Sequence, residues 1–266
     1  MPAPSLPDAS ETPPVLDDPA LLQNLLLVGG AFALGGILKG AIGAGAPLLA
    51  VPVLSLLYDV PTAITLFAIP NVVPNAWQTW QFRRHALPAT FLWPFVLAGL
   101  AGTAAGTVFM ANADTDHLLV IVSVVVMAYV GFRLLRPHWV LDYPLARRIC
   151  APVGFVSGAM QASAGISAPV SITFLNAMKL ERGAFIATIS ALFVGVACVQ
   201  IPMLVFFGFM TPTLFLLGCA ALAVIMAFMP VGAYLVRKLS RTVFDRLILA
   251  LLVILAARML WQFSAG

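Results

Sequence analysis

The chain has 266 residues, 62% of them hydrophobic and only 9% charged, with a formal net charge of +4 and a mean hydropathy of +1.03. A soluble domain carries about 25% charged residues, so this composition excludes a water-soluble globule and describes an integral membrane protein. The basic residues sit in loops between apolar segments, which sets orientation in a bilayer and excludes a nucleic-acid-binding surface.

The first 20 residues hold six prolines and Asp8, Glu11, Asp17 and Asp18, with no Lys or Arg. They read as a disordered or extended tail, without the basic start of a signal peptide. Apolar segments follow at 21–38, 46–58, 61–82, 88–111, 117–136, 146–164, 166–178, 183–207, 211–236 and 243–263. A full crossing takes about 20 residues. As one helix, residues 21–57 would run to about 55 Å, nearly twice the hydrocarbon thickness, and residues 146–179 show the same excess. Each stretch holds a Gly-rich interruption: Gly35–Pro47 in the first, Gly154–Pro169 in the second. Each is therefore expected to break and turn back as a helical hairpin, re-entrant or fully spanning.

Loop charges support this reading. The positive-inside rule places Arg83, Arg84 and His85 inside, Asp114 and Asp116 outside, and Arg133, Arg136, Arg147 and Arg148 inside. With 146–179 as a hairpin, Lys179, Arg182, Arg237, Lys238 and Arg241 also fall inside, and both termini outside. The predicted fold is an all-α integral membrane protein, a polytopic helical bundle of about eight to ten transmembrane segments. Its expected parts are a tail (1–20), a first repeat (21–136), a cytoplasmic connecting loop (137–145) and a second repeat (146–263).

The two halves have opposite expected orientation, the inverted-repeat plan of many secondary transporters. Ala46-Pro47-Leu48-Leu49 aligns with Ala168-Pro169-Val170-Ser171 at an offset of 122, which also pairs Gly43 with Gly165, Gly45 with Ser167, Asp59 with Glu181 and Gln78 with Gln200. Upstream, Gly36-Ile37-Leu38-Lys39-Gly40 aligns with Gly154-Phe155-Val156-Ser157-Gly158 at an offset of 118. The second copy thus carries about one extra helical turn at its break.

These breaks are the expected substrate site. A discontinuous helix exposes N–H groups at the start of its second half, and helix N-termini attract anions. Alternatively, the glycines serve close helix packing. Lys39 lies at the first break, as an anion ligand or a snorkelling lysine. Asn71, Asn75 and Gln78 share one helix face, with Gln200 as the repeat mate of Gln78. Amides donate to anionic oxygens without a permanent charge, although they also serve as interhelical hydrogen bonds. The second break adds Gln161, Ser163, Ser167, Ser171 and Thr173. The candidate substrate-binding set is Lys39, Gly43, Gly45, Asn75, Gln78, Gln161, Ser163, Gly165, Ser167 and Gln200. Trp77 and Trp80 read as an aromatic wall or as interfacial anchors.

No Asp or Glu lies well inside a span; His85, His117 and His138 are in loops, and Cys150, Cys198 and Cys219 are dispersed. No catalytic residue, metal site or cofactor is expected, and no Walker or dinucleotide motif is present. The expected partners are a small anionic substrate and the lipid bilayer.

The Gly-rich break at Gly36, Gly40, Gly43, Gly45 and Pro47, its repetition at Gly154, Gly158, Gly165 and Pro169 and the overall length resemble the sulfite exporter / organosulfonate permease family of the TauE/SafE type, including 4-toluenesulfonate uptake proteins. The resemblance covers about residues 21–263. It implies a non-enzymatic carrier of sulfite, thiosulfate or an organosulfonate in the bacterial inner membrane. A passive anion channel of the same architecture is the main rival, and a non-transporting membrane protein the weaker one.

Overall fold

The computed structural model describes residues 19–44, 46–135 and 139–238, together with helical residues 250, 252–255, 257, 258 and 261. Gly45, the tail to residue 18, Arg136, His138, Arg241 and most of the last expected segment lie outside these described residues. The described chain is all-helical: α1 (Pro19–Ile42), α2 (Ala46–Leu57), α3 (Val60–Gln81), α4 (Ala89–Asn112), α5 (Thr115–Leu135), α6 (Tyr143–Ala164), α7 (Ser171–Ala177), α8 (Arg182–Phe206) and α9 (Pro212–Lys238), with a 3-10 turn at Arg83–His85. Stretches of α1, α4, α8 and α9 are long and apolar enough to cross a membrane. The chain is thus a polytopic helical membrane protein. Amides and prolines in α3, and the Arg147–Arg148 pair in α6, dilute the apolar character of those two helices.

Both expected breaks are present, and both are made by a glycine in left-handed conformation. Helix α1 ends before Gly43 (φ +82°), and α6 ends at Gly165 (φ +70°). Only glycine adopts this region without a steric cost. Helix α2, at 12 residues, is about 18 Å long. Helix α7, at 7 residues, is about 10 Å. Neither spans a bilayer of about 30 Å alone, so each is the short return arm of a hairpin. Helix α7 starts at Ser171 rather than directly after Ala168-Pro169, because the Ser167 carbonyl first accepts the N–H groups of Val170 and Ser171 in a turn.

Three loops gather at one end. The Leu141 N–H donates to the Ala177 carbonyl at 2.8 Å, joining the connector before α6 to the end of α7. A Cβ on Gly183, at the start of α8, would come within 2.9 Å of His85. The basic residues around Arg83, Lys179 and Arg182 therefore share one face of the molecule.

The packing glycines are distinct from the break glycines. Helix α1 lies against α9, and α6 against α4, with backbones so close that an added Cβ would strike a carbonyl. Such a Cβ on Gly36 would lie 2.7 Å from the Ile225 oxygen, on Gly40 1.9 Å from that of Met229, and on Gly232 1.9 Å from that of Ile37. The second pair repeats this contact for contact: Gly154 on Phe95, Gly158 on Gly99 and Gly102 on Phe155. Membrane helices gain from such small-residue contacts because dispersion and close packing replace the hydrophobic drive. The remaining contacts follow the same exchange, with α3 against α9 mirrored by α8 against α4, and α3 packed on α8 at the centre. The break glycines also correspond, since Gly43 abuts Ile186 and Gly165 abuts Ile64, whose numbers differ by the repeat offset of 122.

Candidate functional site

Polar side chains enter this apolar interior from α1, α3, α6 and α8, and they meet between the two breaks. Helix α3 is the main source. Asp59 caps its N-terminus, its carboxylate accepting from the Thr62 N–H at 2.6 Å and the Thr62 hydroxyl at 2.9 Å. Pro70 and Pro74 lie inside the helix, where each removes one backbone donor. Asn71, Asn75 and Gln78 occupy the buried face, while Trp77 and Trp80 are more than half exposed on the other. Arg83 stacks on Trp80 at 4.8 Å. The two tryptophans therefore lie on the outer surface and are not a pocket wall.

A directed hydrogen-bond chain starts at Lys39, which is 3% exposed. Its side-chain nitrogen donates to the Asn75 Oδ1. The Asn75 Nδ2 donates in turn to the Asn71 carbonyl at 2.6 Å and the Asn71 Oδ1 at 2.7 Å. With its Oδ1 accepting, the Asn71 amide keeps its own N–H donors for the cavity it lines. The Phe193 ring of α8 stands 6.0 Å from the Lys39 nitrogen, at the outer limit of a cation–π contact.

The cavity lies at the second break, lined by Val51, Ile64, Phe67, Ala68, Asn71, Gln161, Gly165 and Gln200. The space among these atoms totals about 190 Å³, and it admits about one water molecule. Gln161 spends its amide on the break: its Nε2 donates to the Gly165 carbonyl at 2.9 Å, and its Oε1 accepts the Ser167 N–H at 3.1 Å. The Ser171 hydroxyl closes the turn by donating to Ser167. Around the second break, the N–H groups of Ser167, Val170 and Ser171 are taken up by the protein itself. The buried Gln200 Nε2 has no partner, and the same holds for the hydroxyls of Ser55, Thr65, Thr79, Thr173 and Thr188; Gln200 is the one of these that lines the cavity.

The matching glutamine of the first half has a side-chain partner, held on its amide oxygen. The Gln78 Oε1 accepts from the Ser190 hydroxyl at 3.0 Å. At the offset of 122, Gln200 takes the place of Gln78, but Ala68 takes the place of Ser190. The alanine lines the cavity and offers Gln200 nothing.

Of the sequence candidates, Gln161, Gly165 and Gln200 line the cavity, and Lys39 and Asn75 reach it through Asn71. Gly43 shapes the first break. Ser167 builds the second. Gln78 is buried on the same α3 face but is engaged with Ser190. Ser163 is not brought in, since its hydroxyl donates to the Ala159 carbonyl at 2.8 Å along its own helix. Gly45 lies outside the described residues. Asn71 joins the two clusters and is absent from the sequence-derived set, although its i, i+4 spacing to Asn75 was the available signal. Among the described residues no group of His, Cys, Asp or Glu could hold a metal ion.

No curated protein and no solved structure matches the chain. The protein family described as sulfite exporter TauE/SafE matches it over residues 27–259. That match takes in both hairpins, the connector and nearly all of the helical bundle. The chain therefore belongs to the TauE/SafE sulfite exporter family, a family of membrane transporters.

Proposed function

We propose that this protein is a secondary carrier for a small sulfur oxyanion, sulfite or an organosulfonate, held between the two helix breaks. The observation that carries the reading is the unpartnered Gln200 Nε2, beside a cavity that Asn71 also lines. An unsatisfied buried donor costs about 1–3 kcal/mol, and a sulfonate or sulfite oxygen, which only accepts, would relieve it. Lys39 supplies the opposite charge through Asn75 and Asn71.

The surrounding scaffold supports alternating access by two inverted repeats, residues 21–136 and 146–263. Two glycine-locked pairs, α1–α9 and α4–α6, flank the central α3 and α8. Rocking one half against the other would open the cavity to each face in turn. A cavity that admits about one water molecule supports a carrier that must open to load its substrate over an open conduit. The shared face of Arg83, Lys179 and Arg182 is assigned to the cytoplasm of a bacterial inner membrane by the positive-inside rule, with both termini outside.

The test is a thermal-shift screen of purified protein against sulfite, sulfate, thiosulfate, taurine, sulfoacetate and an aromatic sulfonate, followed by counterflow in proteoliposomes. A ligand of the folded state raises the melting temperature by mass action. Gln200→Ala and Asn71→Ala should each keep the fold and lose that shift. Unchanged sulfur-anion binding in both folded variants would sink the site, and conductance at channel rates would sink the carrier.

A further inference from the structure

We propose that the site takes up its anion together with one proton, carried on the Lys39 side chain. This rests on the anion site proposed above and adds its coupling ion.

Lys39 is buried at the end of α1 and no carboxylate pairs with it; the one ion pair among the described residues, His117 with Asp114, lies near the start of α5. Among the described residues, the helices around it offer no counter-charge. Helices α2 and α3 carry no titratable side chain. Helix α8 faces it with Phe193 and holds only Arg182, at its first residue, and the exposed Cys198. Helix α9 has Cys219, Tyr234, Arg237 and Lys238 and no acid. An ammonium brings three donors, and among the described residues one side-chain acceptor, Asn75 Oδ1, meets them.

Asn75 is suited to hold Lys39 in either charge state. Its Nδ2 is committed to Asn71, so its Oδ1 is presented to the lysine. A carboxamide oxygen accepts from an amine or an ammonium alike and makes no demand for charge. A buried lone charge is unfavourable until it is paired, and an anion in the adjacent cavity is the pair. By reciprocity, the anion favours the protonated lysine by the same factor as the protonated lysine favours the anion. Loading is then RNH2 + H+ + A− giving RNH3+ beside A−, with no bond to carbon or sulfur changed. Release of both returns the neutral amine. A carrier of this kind couples a sulfonate to the proton gradient, electroneutrally for a monovalent anion.

The experiment counts protons. Thiosulfate and methanesulfonate are the probes, because neither is protonated between about pH 6 and about pH 10, whereas sulfite is. Calorimetric titrations of wild-type protein in two buffers of different ionisation enthalpy give the protons bound per anion. The expected result is uptake approaching one proton per anion in part of that range, with affinity falling by up to about tenfold per pH unit there. Lys39→Arg, which stays charged, should bind with no proton uptake and a flat pH dependence. Lys39→Met should also show no uptake, and bind more weakly. Binding by wild type with no proton exchanged at any pH overturns the coupling and leaves the anion site standing. So does uptake that persists in both variants. No saturable binding of any sulfur anion overturns the site and the coupling together. Should the variants fail to fold, the wild-type proton count alone decides.

Discussion

Ala68→Ser tests the site by repairing it. In the first half, Ser190 satisfies Gln78 at 3.0 Å. In the second, Ala68 leaves the Gln200 Nε2 unpartnered beside the cavity. A serine at position 68 restores the hydroxyl that the other half carries at Ser190, and its oxygen, turned to accept, gives the orphan Nε2 a partner. A buried hydrogen bond made where a donor was unsatisfied is worth about 1 kcal/mol, and up to about 3 if the full desolvation penalty is recovered. The empty protein should therefore melt at a higher temperature. The anion must now break that bond to use Gln200, and about 1.4 kcal/mol corresponds to tenfold in affinity. Stability and affinity thus move in opposite directions, which general damage to the fold does not produce. The assay is a melting curve with and without thiosulfate, paired with counterflow in proteoliposomes. A folded Ala68→Ser variant with unchanged melting temperature and unchanged anion affinity would refute the role given to Gln200.

Four further outcomes follow from the geometry. Gly158→Ala would place a methyl 2.0 Å from the Gly99 carbonyl oxygen, so α4 and α6 must separate; size-exclusion profiles should lose the monodisperse peak. Gly131→Ala, with nothing within 4 Å, should keep that peak and gain up to about 1 kcal/mol from helix propensity. Asn75→Asp gives Lys39 an internal carboxylate, so the melting temperature should hold or rise while counterflow is lost; retained transport would mean that Lys39 does not serve the anion. Trp77→Ala should leave affinity for an aromatic sulfonate within about twofold, because the ring lies on the outer surface; a loss of about tenfold would return it to the pocket.

Much of the architecture was legible because membrane constraints are coarse. Excess length over a bilayer thickness announced both hairpins, and the basic loops at Arg83, Lys179 and Arg182 announced a shared face. The Gly43–Gly165 and Gln78–Gln200 matches were also readable, since they share one offset. Sequence could not separate the two jobs of the glycines. Gly36, Gly40, Gly154 and Gly158 are packing residues against α9 and α4, a partnership fixed only by tertiary structure. Gly43 and Gly165 make the breaks through a positive φ, which composition does not encode. Ser163 looked like a ligand because it sits near the break, but a helical serine is readily consumed by the carbonyl four residues back. Asn71 was underweighted because its role depends on Asn75 fixing its amide, a third-party effect with no signature in spacing alone.

The two halves share a scaffold without sharing a site. Packing between α1 and α9 is copied between α6 and α4, so in the proposed carrier the inward-open and outward-open states would be built from exchanged conformations of near-equal energy. A carrier needs that balance, because a strong preference for one state would trap the substrate. Four residues break the symmetry locally. Gly43 follows Gly40 by three positions, but Gly165 follows Gly158 by seven. The added turn carries Gln161, which seals the second break with its own amide. The first break carries Lys39, whose counterpart Ser157 donates only to the Val153 carbonyl. Charge therefore enters from one half, and an unsatisfied neutral donor from the other. If both halves kept a lysine, two buried cations would repel across α3. In the proposed carrier, the asymmetry would confine binding to one place on a frame whose symmetry serves movement.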